Sequence, residues 1–209
     1  MTRLGILLSG RGSNFLAIAN NISSGALSAE IAIVVSNRED AGGIAAAQAL
    51  GLKTAVLPSK GCKREEHDRA VVAALHQAGV ELVVLAGYMR LLSPWFVQQF
   101  AGKILNIHPS LLPAFPGLEA QKQALEYGVH FSGCTVHFVD EHLDHGAIVL
   151  QRVVPVLASD DEHSLAERIL AEEHRAYSQA IALVAGGKFR IEGRRVLPDS
   201  GNGVRESSL

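Results

Sequence analysis

The chain reads as one α/β domain: a mostly parallel, doubly wound sheet with an antiparallel addition in its C-terminal half. Three observations predict this. Up to Ile107, near-continuous apolar runs of strand length alternate with longer stretches of helical period. Strands that are apolar on both faces belong to a parallel sheet covered by helices on each side. After Ile107 a proline-rich loop interrupts that alternation, and two strand-like runs follow one another before the next long helix. The composition agrees, with 209 residues and 48% hydrophobic side chains, enough to bury a core without disulfides or metal staples.

In chain order, the strand runs are Leu4 to Leu8, Ile31 to Val35, a weaker Thr54 to Leu57, Leu82 to Ala86 and Lys103 to Ile107. The helical stretches between them are Asn14 to Ile22, Gly43 to Leu50, Arg64 to Ala78 and Pro94 to Phe100. Ser93-Pro94 is a start signal, an N-cap followed by proline at the first helical position. A loop holding Pro109, Pro113 and Pro116 leads to a helix near Glu119 to Tyr127. Strands at Gly133 to Val139 and Ala147 to Val156 come next, followed by a long amphipathic helix from about Asp161 to Val184. Lys188 to Ile191 and Arg195 to Leu197 suggest a small hairpin about Gly193. The first half is thus Rossmann-like. Residues 1–198 form the expected domain, and 199–209 a polar tail.

A net charge of −2 argues against nucleic-acid binding through bulk charge. No apolar run reaches the length of a membrane span, so no membrane association is expected. Cys62 and Cys134 are too few for a disulfide framework; two reduced thiols point to the cytoplasm.

Two stretches carry chemistry. Ser9-Gly10-Arg11-Gly12-Ser13-Asn14 joins the first strand to the first helix, where backbone N–H groups and the helix N-terminus favour an anion. A dinucleotide fits poorly, because Phe15 occupies the third glycine position and no acid ends the second strand. What remains is a site for one small phosphate, or a plain tight turn. Further on, Asn106 and His108 stand two apart at the end of an apolar strand, so their side chains share a face. An amide beside an imidazole can donate two hydrogen bonds to a carbonyl oxygen that becomes negative. A carboxylate is then needed for proton handling, and both Asp140 and Asp144 lie in the polar loop that follows. His137, His142 and His145 cluster there with acids, yet none has the helical spacing of a zinc motif, and no metal is expected.

Together these segments resemble the phosphoribosylglycinamide (GAR) formyltransferases. The matching pieces are SGRGSN at 9–14, LAGYMRLL at 85–92, NIHPSLLPAFPG at 106–117, GCTVHFVDEHLDHG at 133–146 and EEH at 172–174. The resemblance spans residue 3 to about 198 and implies the formyltransferase fold and a bare catalytic core. It implies transfer of a formyl group from the co-substrate 10-formyltetrahydrofolate to the GAR amine, in purine synthesis and without a metal. Asn106, His108 and Asp144 match the family's catalytic trio, and His137 a supporting histidine. Gly12, Ser13 and Asn14 match the loop for the GAR phosphate, with Pro109 and Glu173 at the glycinamide end. Met89, Arg90, Leu91, Leu92 and Asn106 match the folate-contacting residues, and Arg64 an arginine that meets its glutamate tail. Leu85, Val97, Ile104 and Val139 would wall that pocket. Glu119 and Leu170 depart from the family pattern near the GAR contacts. A formyltetrahydrofolate deformylase, or a non-catalytic binder of folate or sugar phosphate, is the alternative expectation, in a monomer or homodimer.

Overall fold

The computed structural model describes residues 1–199; the expected tail lies outside them apart from Asp199. Five parallel strands come first: β1 (Thr2–Leu8), β2 (Ala29–Ser36), β3 (Thr54–Val56), β4 (Leu82–Leu85) and β5 (Ile104–His108). Between them run α1 (Ser13–Ser23), α2 (Gly42–Ala49), α3 (Arg64–Gln77) and α4 (Pro94–Gln99). Then come α5 (Ala120–Tyr127), β6 (Phe131–Phe138), β7 (Ile148–Pro155), α6 (Glu162–Ala185) and the hairpin β8 (Phe189–Glu192) and β9 (Arg195–Pro198). The nine strands among the described residues form one sheet in the order β3-β2-β1-β4-β5-β6-β7-β9-β8. β5–β6 and β6–β7 are antiparallel, and the hairpin joins the same sheet through β9 beside β7.

Alternation along the strands builds a core on each face. Leu4, Ile6 and Leu8 of β1 face α1, α2, α5 and α6, while Leu7 with Ile33 and Val35 of β2 faces α3 and α4. Each such side chain withdrawn from water contributes about 1.5–3 kcal/mol. The two helix layers fix the strand ends rigidly. α4 starts where the sequence predicts: Ser93 Oγ accepts the Phe96 N–H at 3.2 Å, ahead of Pro94. α6 starts on a reciprocal cap between Asp161 and Ser164. Its buried Tyr177 hydroxyl lies 2.9 Å from the Leu85 carbonyl and 3.0 Å from that of Leu105, pinning α6 over β4 and β5.

One register row positions the site. Leu7, Leu85, Asn106, His137 and Ile148 are successive neighbours across β1, β4, β5, β6 and β7. The connections reverse direction between β1 and β4, and at such a switch point the strands' carboxyl ends leave a crevice where α/β sheets bind ligands.

Candidate active site

β5 delivers Asn106 and His108 to that crevice, and the loops after β5 and β6 close around them. His108 is buried; its Nε2 lies 2.8 Å from the Phe115 carbonyl, and its Nδ1 faces Asp144 Oδ2 at 3.4 Å. Both ring nitrogens therefore look onto oxygen acceptors. Asp144 is set by backbone shape as much as by contacts. It adopts a left-handed conformation (φ 49°), and its Oδ2 accepts the Gly117 N–H at 2.8 Å, tying the two loops together. Gly146 permits the return of this loop, because a Cβ there would meet the Phe138 carbonyl oxygen at 1.9 Å.

Asn106 is oriented from β6. His137 Nδ1 lies 2.8 Å from the Phe138 carbonyl, which only an N–H can satisfy, so Nε2 carries the lone pair. That lone pair accepts from Asn106 Nδ2 at 3.2 Å. Burial pushes the His137 pKa down, outweighing the Phe138 carbonyl and Asp144, which favour its charged form. The ring is thus held neutral, as a fixed acceptor for the amide. Asp144 Oδ1 stands 3.8 Å from His137 Nε2, beyond a hydrogen bond. Of the two aspartates left open by the sequence, Asp144 reaches the histidines. Asp140 instead holds His145 Nδ1 at 2.9 Å and the His142 N–H at 2.8 Å on the surface.

Two side chains missed by sequence reading clamp the loop after β5. Thr135 Oγ1 on β6 donates to the Ser110 carbonyl at 2.7 Å and accepts the Leu112 N–H at 3.0 Å. Gln151 Nε2 on β7 donates to the Leu112 carbonyl at 2.9 Å. Their position opposite a proline-rich loop was the available signal, visible only once β5, β6 and β7 are known to be neighbours.

At the other end, Gly12 is the N-cap of α1 in a left-handed conformation (φ 78°), with no side chain capping the helix. The first-turn N–H groups of Ser13 and Asn14 have no partner within the helix ladder. Gly12 also abuts Gly43, whose Cα would lie 2.9 Å from a Cβ there. Asn14 Nδ2 donates to Glu173 Oε2 at 2.7 Å across 159 positions, while Asn14 Oδ1 is buried without a partner. Burial pushes the Glu173 pKa up, against the opposing pull of Asn14.

Met89, Arg90, Leu91 and Leu92 lie together on the loop after β4. The Met89 N–H already donates to Ser9 Oγ at 2.8 Å, so only its carbonyl is left for a ligand from its backbone. Met89 and Leu91 are exposed, and Arg90 Nε is buried without a partner. Pro109 follows His108 directly and is half-buried. Leu85, Val97 and Ile104 are buried. Arg64 opens α3 on the surface and is hydrogen-bonded to none of these residues. Of the family departures, Glu119 is exposed with φ 56° at the start of α5, and Leu170 is half-buried on α6.

The formyl transferase family matches residues 2–181. The phosphoribosylglycinamide formyltransferase of Escherichia coli is 39% identical over 201 residues, covering 92% of this chain and 95% of that protein. The trifunctional purine biosynthetic protein adenosine-3 of Drosophila pseudoobscura pseudoobscura is 47% identical over 191 residues, where the chain spans only 14% of its length. Among solved structures, glycinamide ribonucleotide transformylase 1 from Symbiobacterium toebii superposes with a TM-score of 0.93 at 49% identity, over 95% of this chain and 94% of that one. A formyltetrahydrofolate deformylase from Pseudomonas syringae, 24% identical with a TM-score of 0.89, shares the fold. Among the described residues no helix is long and apolar enough to cross a membrane. Site geometry, fold and sequence agree: the chain belongs to the formyl transferase family.

Proposed function

We propose that this chain transfers the formyl group of 10-formyltetrahydrofolate to the primary amine of 5′-phosphoribosylglycinamide, yielding N-formyl-GAR and tetrahydrofolate. The observation that carries this reading is the grouping of Asn106, His108 and Asp144 at the end of β5, with Asp144 3.4 Å from His108. Two unpartnered buried atoms suit the ligands. Arg90 Nε is a donor awaiting an oxygen beside exposed apolar side chains, as an apolar ring with polar edges requires. Asn14 Oδ1 is an acceptor awaiting an N–H beside the open turn of α1, as an amide attached to a sugar phosphate requires.

The amine lone pair bonds to the formyl carbon, and the carbonyl π pair moves onto oxygen. Asn106 donates to that oxygen through the Nδ2 hydrogen not given to His137, and His108 through Nε2, which exchanges the Phe115 carbonyl for it. Its pair then returns, the bond to the folate nitrogen breaks, and that nitrogen takes up the proton that the amine gives up. Asp144, facing His108 Nδ1 at 3.4 Å, orients the ring and relays the proton between the two nitrogens. Oriented donors in a partly buried cleft stabilise such charge far better than water does. Gly12, Ser13 and Asn14 bind the phosphate, Glu173 and Pro109 the glycinamide. Met89, Arg90, Leu91 and Leu92 bind the folate ring, and Arg64 its carboxylate tail.

The test is product identity. Purified protein given formyl-labelled 10-formyltetrahydrofolate and GAR should place the label on GAR, detected by mass. Label released as formate, at the same rate without GAR, would overturn the reading in favour of deformylation.

A further inference from the structure

The loop between β6 and β7 brings three metal-ligating side chains together on the surface, outside the catalytic group. Donor atoms of Asp140, His142 and His145 all lie within 4.8 Å of one another. His145 Nδ1 is 2.9 Å from Asp140 Oδ2, His142 Nδ1 is 3.9 Å from Asp140 Oδ1, and the two rings are 5.2 Å apart at their centroids. No zinc spacing in the sequence announces this set. The backbone makes it, because Asp140 Oδ1 accepts the His142 N–H at 2.8 Å and folds the loop back on itself.

We infer that Asp140, His142 and His145 form a binding site for one divalent transition-metal ion of the zinc class, and that its occupancy ties down the loop carrying Asp144. Two imidazoles and one carboxylate are a donor set such ions favour, with remaining positions filled by water. A tetrahedral ion with bonds of about 2.0–2.2 Å needs donors about 3.3 Å apart. The two separations from Asp140 bracket that value, and the His142 side chain, 76% exposed, is free to turn inward. His142 and His145 flank Asp144 in sequence, so an ion bridging them to Asp140 closes a short ring around that residue.

The experiment is calorimetric titration of the metal-free full chain with Zn(II), at a pH above the ordinary histidine value of about 6.5. Asp140→Asn, His142→Ala and His145→Ala are titrated in parallel, each checked for folding by circular dichroism. Amide hydrogen exchange across 140–146 is followed with and without the ion. One Zn(II) per chain is expected, binding at least tenfold more weakly to each variant, with exchange across the loop slowed in the parent. Absence of binding up to millimolar Zn(II), equal affinity in the variants, or unchanged loop exchange on binding would overturn the site.

Discussion

The loop after β1 and the loop after β5 both leave the carboxyl ends of parallel strands, yet they are built on opposite principles. The first presents bare backbone: Gly12 leaves α1 uncapped, and Gly10 accepts the Gly43 N–H at 3.0 Å to seat the turn against α2. The second follows the side chains of β5, and β6 and β7 brace both strand end and loop, through His137 on the Asn106 side chain and Thr135 and Gln151 on the Ser110 and Leu112 backbone. On the proposed function, the contrast is a division of labour. A phosphate needs only close approach to orphan N–H groups, whereas a carbon changing from trigonal to tetrahedral needs donors fixed in direction.

The largest effect should come from the catalytic group at the end of β5, through the residue that faces His108 from the loop after β6. Asp144→Asn keeps the shape but removes the charge facing His108, and should lower kcat by about 10²–10⁴-fold while leaving the KM for GAR nearly unchanged. Steady-state kinetics check this, and an unaltered kcat would break the contrast at once. Thr135→Val comes next. It leaves the Leu112 N–H and the Ser110 carbonyl unpaired in a buried setting, a loss of about 1–3 kcal/mol. As Thr135 only positions the loop, Tm should fall by several degrees and kcat by less than for Asp144→Asn, and Thr135→Ser should restore both.

The smallest effect concerns stability at the first loop. Burial raises the Glu173 pKa, so folding favours its protonated form. That contribution is fully present below the ordinary glutamate value of about 4.3 and is lost as pH rises through the elevated folded value. Glu173→Gln should therefore raise Tm by a few degrees at pH 8, with the gain shrinking toward pH 4, while weakening GAR binding. Thermal melts across that range check the sign; a lower Tm at pH 8 would show that the carboxylate stabilises the fold.

The parallel half was legible in the sequence because each apolar run and each helical stretch obeys its own period. β6 was misjudged at its start: Gly133 looks like a strand boundary, yet the strand begins at Phe131. Gly133 is there because a Cβ would strike the Arg152 carbonyl at 1.9 Å, a constraint set by β7 rather than by local propensity. Asn106 and His108 were legible from their two-residue spacing alone. Asp144 was preferred to Asp140 only through the family resemblance, since a loop has no period and its placement rests on a single left-handed residue. The grouping of Asp140 with His142 and His145 was missed for the same reason: the sequence grouped His137 with the two histidines, whereas His137 lies inward against Asn106. Asn14 and Glu173 meet across the whole chain, and only the resemblance linked them in advance.

The most direct measurement sets His108→Ala beside Gly12→Ala under the same assay, with kcat and the KM for GAR determined for each. Gly12→Ala must strain a left-handed residue and crowd Gly43 at 2.9 Å. The division of labour predicts that His108→Ala loses kcat by orders of magnitude at a preserved KM, and that Gly12→Ala raises the KM with kcat largely kept. Parallel losses in both parameters for both variants would contradict it.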